Sequence, residues 1–272
     1  MSVLTVSIVL YNTDSEQLNR CLASLKKYSG ELKIYLIDNS PSPCFYPVAK
    51  NIGYIHNPSN PGFGAAHNIA IHKSFLEAGD YHLVLNADVY FGAGVLEELE
   101  TFMNQNLDVG LTMPKVFYPN GDIQYLCKLL PSPKDLIVRR FIPFNQWKKK
   151  HNDYFEMRFT HYNQIMEVPY LSGCFMFLRK DALRKISGFD ERFFMYAEDI
   201  DLSRRIHEHY KTIFYPHVSI THEFTGSSHK SFSMFIIHTQ NVIKYFNKWG
   251  WFFDQKRDHV NKKILHKLGV LL

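Results

Sequence analysis

The chain has 272 residues, of which 46% are hydrophobic and 21% charged, so it is long and apolar enough to fold around a sizeable core rather than remain disordered. Its formal net charge of +5 is too small to indicate nucleic-acid binding, and no nucleic-acid-binding motif accompanies it. The four cysteines form no C-x-x-C pair, which argues against a zinc cluster or a disulfide framework and favours a cytoplasmic protein.

Strands and helices are predicted in alternation through the first part of the chain. The elements are a strand over 3–10, a helix over 14–28, strands over 32–37 and 52–56, a helix over 65–76 and a strand over 81–85. The first strand is β-branched and apolar throughout, as expected where a strand is buried on both faces. This order predicts a doubly wound α/β domain with a mostly parallel central sheet flanked by helices.

The second part of the chain is predicted to be less regular. The elements are a helix over 94–104, a strand over 109–117, an irregular stretch over 118–165, a strand over 168–178, helices over 180–186 and 200–208, a strand over 211–220 and a helical tail from 232. No run reaches the ~18 to 20 apolar residues that span a bilayer, and Val3–Leu10 suits a first strand better than a leader peptide, so any membrane contact is expected to be peripheral.

Polar residues follow three of the predicted strands directly. They are Tyr11-Asn12, Asp38-Asn39 and Asn86-Ala87-Asp88. In open α/β sheets, ligands bind beyond the carboxyl ends of the strands, so these groups are candidates for one shared site. Asp88 suits a Mg²⁺ or Mn²⁺ ion shared with phosphates, although an aspartate there could equally cap the next helix.

His222 follows the last predicted strand and is a candidate ligand for the same metal ion. The chain has 14 histidines, and a single histidine is more often structural. The segment Gly226–Lys230 that follows adds small residues and a cation that could face phosphates.

The acidic run Glu198-Asp199-Ile200-Asp201 stands at the start of a predicted helix. A helix N-terminus favours carboxylates, which accounts for part of the run. Asp199 is the candidate general base, because neighbouring carboxylates raise its affinity for a proton.

Two further patterns are weak by themselves. The turn Asn60–Asn68 puts glycines before a helix, where main-chain amides could approach a ligand, but it matches neither phosphate-loop fingerprint. Basic and aromatic residues alternate around Arg139-Arg140 and through the tail, a pattern that suits either an anionic membrane surface or a solvated helix over an aromatic core.

As an ordered set, these motifs resemble the family-two nucleotide-sugar glycosyltransferases of the GT-A fold. The matching stretches are Val6–Asn12, Asp38–Ser40, Asn60–Asn68, Leu85–Val89, Ser172–Met176, Gly188–Glu191, Phe193–Asp201 and His222. Within that family, Gly62-Phe63-Gly64 and Phe194–Leu202 resemble bacterial O-antigen rhamnosyltransferases most closely.

The resemblance implies an inverting transfer of L-rhamnose from dTDP-L-rhamnose to a saccharide acceptor, carried on polyprenyl diphosphate at the inner face of the cytoplasmic membrane. It assigns Asp199 as the general base and Asp88 with His222 as ligands of Mg²⁺ or Mn²⁺. The donor-binding residues it implies are Tyr11, Asn12, Asp38, Asn39, Gly62, Phe63, Asn68, Asn86 and Asp88. Gly173, Asp190 and Glu198 would lie near the acceptor. One departure is Asn86, where the family often has Asp, because a neutral amide binds a cation less strongly.

The resemblance also divides the chain into a nucleotide-sugar-binding half at 1–110, an acceptor-binding and catalytic half at 111–230, and a helical, basic-aromatic tail at 231–272. A UDP-hexose-dependent enzyme of the same fold is the main alternative. A nucleotidyltransferase is disfavoured because no basic glycine-rich loop follows the first strand. A non-catalytic carbohydrate-binding relative would be expected to lose the Glu198-Asp199 pair, which is present.

Overall fold

The computed structural model describes residues 3–43, 49–138, 145–224 and 232–270. A mixed central sheet forms the middle layer, and helices cover it. The segments Gly226–Lys230 and Arg139-Arg140, for which the sequence suggested phosphate or membrane contacts, lie outside the described ranges.

The strands are β1 (Val3–Leu10), β2 (Glu31–Asp38), β3 (Ile52–His56), β4 (Tyr81–Asn86), β5 (Val89–Phe91), β6 (Val109–Phe117), β7 (Cys127–Lys128), β8 (Met166–Glu167), β9 (Tyr170–Leu171), β10 (Phe175–Arg179) and β11 (Lys211–His222). The helices are α1 (Ser15–Leu25), α2 (Phe63–Ser74), α3 (Val95–Gln105), α4 (Asn145–Phe155), α5 (Lys180–Ile186), α6 (Glu198–His207), α7 (Phe232–Trp249) and α8 (Gln255–Lys267). A π-helical turn at Lys134–Val138 and a 3₁₀ turn at Arg158–Thr160 complete the described elements.

The sheet has the strand order β3-β2-β1-β4-β10-β6-β11-β5, and β8 pairs with β11. Strands β3, β2, β1 and β4 run parallel, and so do β6 and β11. Strand β10 is antiparallel to both β4 and β6, so it joins two parallel groups into one sheet. The mostly parallel α/β sheet flanked by helices is confirmed, with antiparallel strands in its second half.

Buried side chains explain why β1 and β4 occupy the centre. Val6, Ile8 and Leu10 of β1 and Leu83 and Leu85 of β4 are fully buried, because helices cover both faces of the sheet. The carboxyl ends of these strands therefore form a fixed edge on which the polar residues after them are displayed.

The structure differs from the sequence prediction most clearly within 118–178, and it also adds strand β5 at Val89–Phe91. The predicted strand over 168–178 is broken, because residues 172–174 turn between β9 and β10. The stretch predicted as irregular contains helix α4 and the short strand β7. None of the helices that the structure describes has the length and hydropathy of a membrane-spanning segment.

Candidate active site

A cleft of about 1820 Å³ opens at the carboxyl ends of the central strands. Residues from both halves of the chain and from α7 line it. The predicted site residues on its walls are Tyr11, Asn12, Asn39, Phe63, Asn86, Asp88, Gly173, Glu198, Asp199 and His222. The fold therefore brings together three groups that are far apart in sequence, namely Asp88, Asp199 and His222.

His222, at the end of β11, lies beside Asp88, which follows β4. Its Nε2 atom is 3.4 Å from Asp88 Oδ1, and this buried nitrogen has no hydrogen-bond partner among the described residues. On the other side of the ring, His222 Nδ1 is 2.9 Å from Oε1 of Gln124. The Gln124 amide nitrogen donates to the main-chain carbonyl of His222 at 2.7 Å, so the amide oxygen must face the ring. A neutral His222 therefore donates from Nδ1 and keeps a free lone pair on Nε2, beside Asp88.

A carboxylate oxygen and a nitrogen lone pair this close are suited to sharing a cation. Burial lowers the pKa of His222, but the neighbouring Cys174 thiol and the Asp88 carboxylate raise it, to about 10, so the pair attracts a proton. The same donor set fits Mg²⁺ or Mn²⁺. No cluster of three or more His, Cys, Asp or Glu able to hold a metal occurs among the described residues. Further ligands would come from the Asn86 amide and from substrate phosphates.

Asp199, in the first turn of α6, is held by main-chain donors. Its Oδ2 accepts a hydrogen bond from the Gly173 amide at 3.1 Å, and its Oδ1 accepts one from the Ile200 amide at 2.8 Å. Burial raises the pKa of Asp199, and the charge of Lys128 opposes that shift. Burial and the neighbouring Asp199 carboxylate raise the pKa of Glu198 to about 8. Glu198 and Asp199 thus form a coupled pair of carboxyl groups in which burial raises the affinity of each for a proton.

The loops that follow β1 and β2 are joined to each other and to the turn at Asn60 by hydrogen bonds. Asn12 donates from its main chain to the Ser40 hydroxyl at 2.8 Å, and Asn39 donates to Asn60 at 3.3 Å. Asp38 is fully buried and does not line the cleft. It accepts hydrogen bonds from the Ser40 amide at 2.9 Å and from the Tyr54 hydroxyl at 2.5 Å, so in this structure it shapes the loop.

The turn before α2 ties the donor side of the cleft to the segment that precedes α6. Gly62 has φ of 102°, and a Cβ atom there would lie 2.4 Å from the carbonyl oxygen of Phe194, so no side chain fits. The Phe63 amide donates to that same carbonyl at 2.9 Å. Asn68 is buried behind the cleft, where it binds both the amide and the carbonyl of Phe189. Gly62 and Asn68 therefore hold the two sides of the site together.

Asp190 lies away from the cleft walls. Its carboxylate binds Arg192 at 2.6 Å and Lys248 of α7 at 2.7 Å, and these cations hold its pKa well below the usual range. Lys248 also binds the fully buried Asp201 at 2.5 Å. This network attaches α7 to α6. The predicted acceptor contact of Asp190 finds no support in this position.

Several cleft residues were not foreseen from the sequence. Gln124, Lys128 and Arg158 come from the stretch predicted as irregular, where no periodic pattern marks them. Tyr196 adopts a φ of 83°, which is unusual for a residue with a side chain and is often found at functional sites. Its ring lies 5.4 Å from that of His238, so the tail helix α7 forms part of the cleft wall.

Comparison with known families and relatives agrees with this geometry. Residues 5–187 match the model of the family described as Glycosyl transferase family 2. An N-acetylglucosaminyl-diphospho-decaprenol L-rhamnosyltransferase of Mycobacterium tuberculosis is 27% identical over 250 residues, covering 83% of this chain and 78% of that protein. The rhamnosyltransferase WbbL of Escherichia coli is 22% identical over 209 residues, covering 73% of this chain and 75% of that protein.

Two solved structures share the fold at low sequence identity. GalNAc-T7 with UDP, GalNAc and Mn²⁺ has a TM-score of 0.61 at 15% identity and is matched over 82% of this chain and 44% of its own. The mannosyltransferase PcManGT from Pyrobaculum calidifontis, in complex with GDP-Man and Mn²⁺, has a TM-score of 0.56 at 14% identity, over 90% of this chain and 63% of its own. The chain thus spans less than two thirds of either structure, and both matches support a GT-A fold.

Proposed function

This chain belongs to glycosyl transferase family 2 and is a glycosyltransferase, and we propose that it transfers L-rhamnose from dTDP-L-rhamnose to a saccharide on polyprenyl diphosphate, with inversion at the anomeric carbon. The observation that carries the proposal is that Asp199 lines the same cleft as Asp88 and His222. One end of such a cleft can activate a nucleophile while the other accommodates a leaving diphosphate. The rhamnosyltransferases among the relatives support the choice of sugar, and the diphospho-decaprenol in one of their names supports the choice of acceptor.

Asp199 acts as the general base in this proposal. It accepts the proton of the acceptor hydroxyl as the hydroxyl oxygen bonds to the anomeric carbon, on the face opposite the leaving group, and dTDP departs with the electrons of the broken bond. The Gly173 and Ile200 amides hold the carboxylate in place, and its raised pKa improves its capacity to take the proton. The neighbouring Glu198 carboxyl, whose pKa is also raised, is assigned to the acceptor side rather than to this role.

Asp88 and His222, with Asn86 beside them, are the residues that would hold Mg²⁺ or Mn²⁺. Bound there, the cation would neutralise charge that develops on the diphosphate. Once the proton on His222 Nε2 is displaced, its lone pair lies 3.4 Å from Asp88 Oδ1, which supports this assignment. Gln124 orients the imidazole, because its amide fixes which ring nitrogen carries the hydrogen.

The two walls of the cleft divide the substrates. Tyr11, Asn12 and Asn39, which follow β1 and β2, are assigned to the nucleotide, in keeping with a donor half at 1–110. Gly173 and Glu198 are assigned to the acceptor side, within the half at 111–230. Because Asp38 and Asn68 are buried behind this wall, their part in donor binding is to hold its loops in place.

The product of such a transfer is a lengthened lipid-linked saccharide, and we propose that the enzyme acts at the cytoplasmic face of the membrane in surface-polysaccharide synthesis such as that of O-antigen. This setting follows from the lipid carrier in the proposed acceptor.

A donor screen tests the proposed function. The enzyme is incubated with dTDP-L-rhamnose, UDP-glucose, UDP-N-acetylglucosamine or GDP-mannose, with Mn²⁺, with Mg²⁺ and with EDTA, and release of the nucleoside diphosphate is measured. We expect release from dTDP-L-rhamnose, stimulated by the cation. Turnover confined to a UDP sugar would contradict the proposed donor, and full activity in EDTA would contradict the metal assignment.

A further inference from the structure

The outer surface of α7 and the turn after it carry exposed apolar side chains that the cleft does not use. Ile236 and Ile243 stand seven residues apart, so they lie on one face of the helix, and both are exposed. In the turn that follows, Phe252 is 75% exposed and Phe253 is 94% exposed. Such a concentration of large exposed apolar residues marks an interaction surface.

The opposite face of α7 is already occupied. Val242, Tyr245 and Phe246 are buried in a cluster with Ala197 and Ile200, the residues that flank the Glu198-Asp199 pair. The inner face of α7 is therefore apolar and buried, and its outer face carries two exposed apolar residues, Ile236 and Ile243. Packing within the described chain accounts only for the inner face.

The turn is anchored on both sides of the two phenylalanines. Trp251 donates from Nε1 to Asn247 at 2.8 Å and packs on Phe246, with ring centroids 5.2 Å apart. Asp254 is buried and binds both terminal nitrogens of the Arg204 guanidinium, at 2.7 and 2.8 Å. These anchors fix the backbone of the turn, so Phe252 and Phe253 are presented on a rigid support.

Charge identifies the partner. Residues 232–270 contain seven Lys or Arg and two Asp or Glu, a net charge of +5. Lys248, Lys256 and Lys267 pair with acids outside this range, so the exposed Lys262 and Lys263 carry the argument. Lys262 and Lys263 lie on α8, the helix that follows the phenylalanine turn. Aromatic side chains that insert at the headgroup level, next to lysines, suit an anionic phospholipid bilayer.

We propose that the outer face of α7 and the 250–254 turn dock on an anionic phospholipid bilayer, with Phe252 and Phe253 inserted at the headgroup boundary and the α8 lysines against lipid phosphates. Met234 and His238, at the other end of α7, line the cleft. A helix lying along the bilayer would therefore hold the cleft wall near the surface from which a lipid-linked acceptor emerges. The purpose of docking rests on the proposed function, but the binding itself does not.

Vesicle co-sedimentation of the full chain tests this surface. The vesicles are phosphatidylcholine alone or mixed with phosphatidylglycerol, and the variants are Phe252→Ser/Phe253→Ser and Lys262→Glu/Lys263→Glu. We expect binding only with phosphatidylglycerol, weakened about tenfold for each phenylalanine removed and also weakened by the charge reversal. The matched control is Leu76→Ser/Leu107→Ser, two residues 89% and 72% exposed elsewhere on the molecule, which should bind like the native chain.

Two readouts separate the outcomes. Nucleotide release from the donor, which requires no membrane, should be unchanged in the Phe252→Ser/Phe253→Ser variant, so a wrong donor assignment does not affect the docking result. Equal vesicle binding by this variant and the native chain would overturn the proposal. So would a native dimer in analytical ultracentrifugation that this variant dissociates, because the surface would then be an interface between copies of the chain.

Discussion

Replacing Gln124 tests whether the cleft is built to present His222 Nε2 to a cation. Gln124→Leu keeps the approximate volume but removes the acceptor 2.9 Å from His222 Nδ1 and the donor 2.7 Å from the His222 carbonyl. The imidazole then has no partner that selects its tautomer, and loss of such an outer-shell partner typically weakens metal binding about 10- to 100-fold. That range corresponds to about 1.4 to 2.7 kcal/mol.

Mn²⁺ titration in the presence of dTDP, with free Mn²⁺ read by electron paramagnetic resonance, measures the effect. Gln124→Glu keeps an acceptor opposite Nδ1 and should recover part of the affinity, whereas a general loss of packing would weaken both variants. Gln105→Leu, at the exposed end of α3, is the control and should match the native protein. Native Mn²⁺ affinity in a folded Gln124→Leu variant would refute the role of Gln124.

Two further predictions concern the base and the core beneath it. In Gly173→Ala the new Cβ would lie 3.3 Å from the Cβ of Asp199, so the Asp199 side chain would have to shift. We expect kcat to fall about tenfold or more, with little change in donor affinity. An unchanged kcat would show that Asp199 needs no fixed position. Burial lowers the pKa of His67 to about 3 and that of His82 well below its usual value, so below pH 6.5 the unfolded chain binds protons that the folded chain does not. The stability that the neutral histidines contribute should therefore be complete above that pH and be lost on acidification, by about 2 kcal/mol for His67 between pH 7 and pH 5, with His82 acting in the same direction. Urea unfolding at pH 7 and pH 5 measures the change in the free energy of unfolding. This change should be smaller in His67→Phe than in the native protein, and it should be unaltered in the exposed control His72→Gln. An equal change in the native protein and His67→Phe would contradict the predicted role of His67.

The sequence predicted the parts of the site that depend on strand ends. Tyr11, Asn12 and Asp88 follow apolar runs that could hardly be anything but buried strands, and the edge of a parallel sheet then brings them together. Asp199 was predicted because it belongs to an acidic run at the start of a predicted helix. For these residues the local sequence identifies the end of a strand or the start of a helix, and that position determines where the residue lies in the fold.

Other residues depend on tertiary contacts that no local pattern encodes. Gln124 faces His222 across 98 positions of the chain, within a stretch that showed no periodicity. Asp38 and Asn68 stand in the expected motifs, but hydrogen bonds to Tyr54 and Phe189 keep them behind the cleft wall. The spacing of a motif identifies its members without showing which of them reach the cleft.

The packing position of α7 also could not be predicted from the sequence. Its basic-aromatic composition suited either a membrane or an aromatic core, and the structure uses its inner face for a core through Tyr245 and Phe246 while its outer face stays exposed. The ion pairs of Lys248 with Asp190 and Asp201 join partners about 50 residues apart, which sequence patterns cannot pair.

The central claim, that one cleft joins a base at Asp199 to a diphosphate site at Asp88 and His222, is tested most directly by comparing Asp199→Asn with Asp88→Asn. Binding of dTDP in the presence of Mn²⁺ and transfer to acceptor are measured on each. We predict that Asp199→Asn binds dTDP like the native enzyme but loses transfer by about a thousandfold or more, whereas Asp88→Asn loses both. Near-native transfer by Asp199→Asn, or undiminished dTDP binding by Asp88→Asn, would contradict the account.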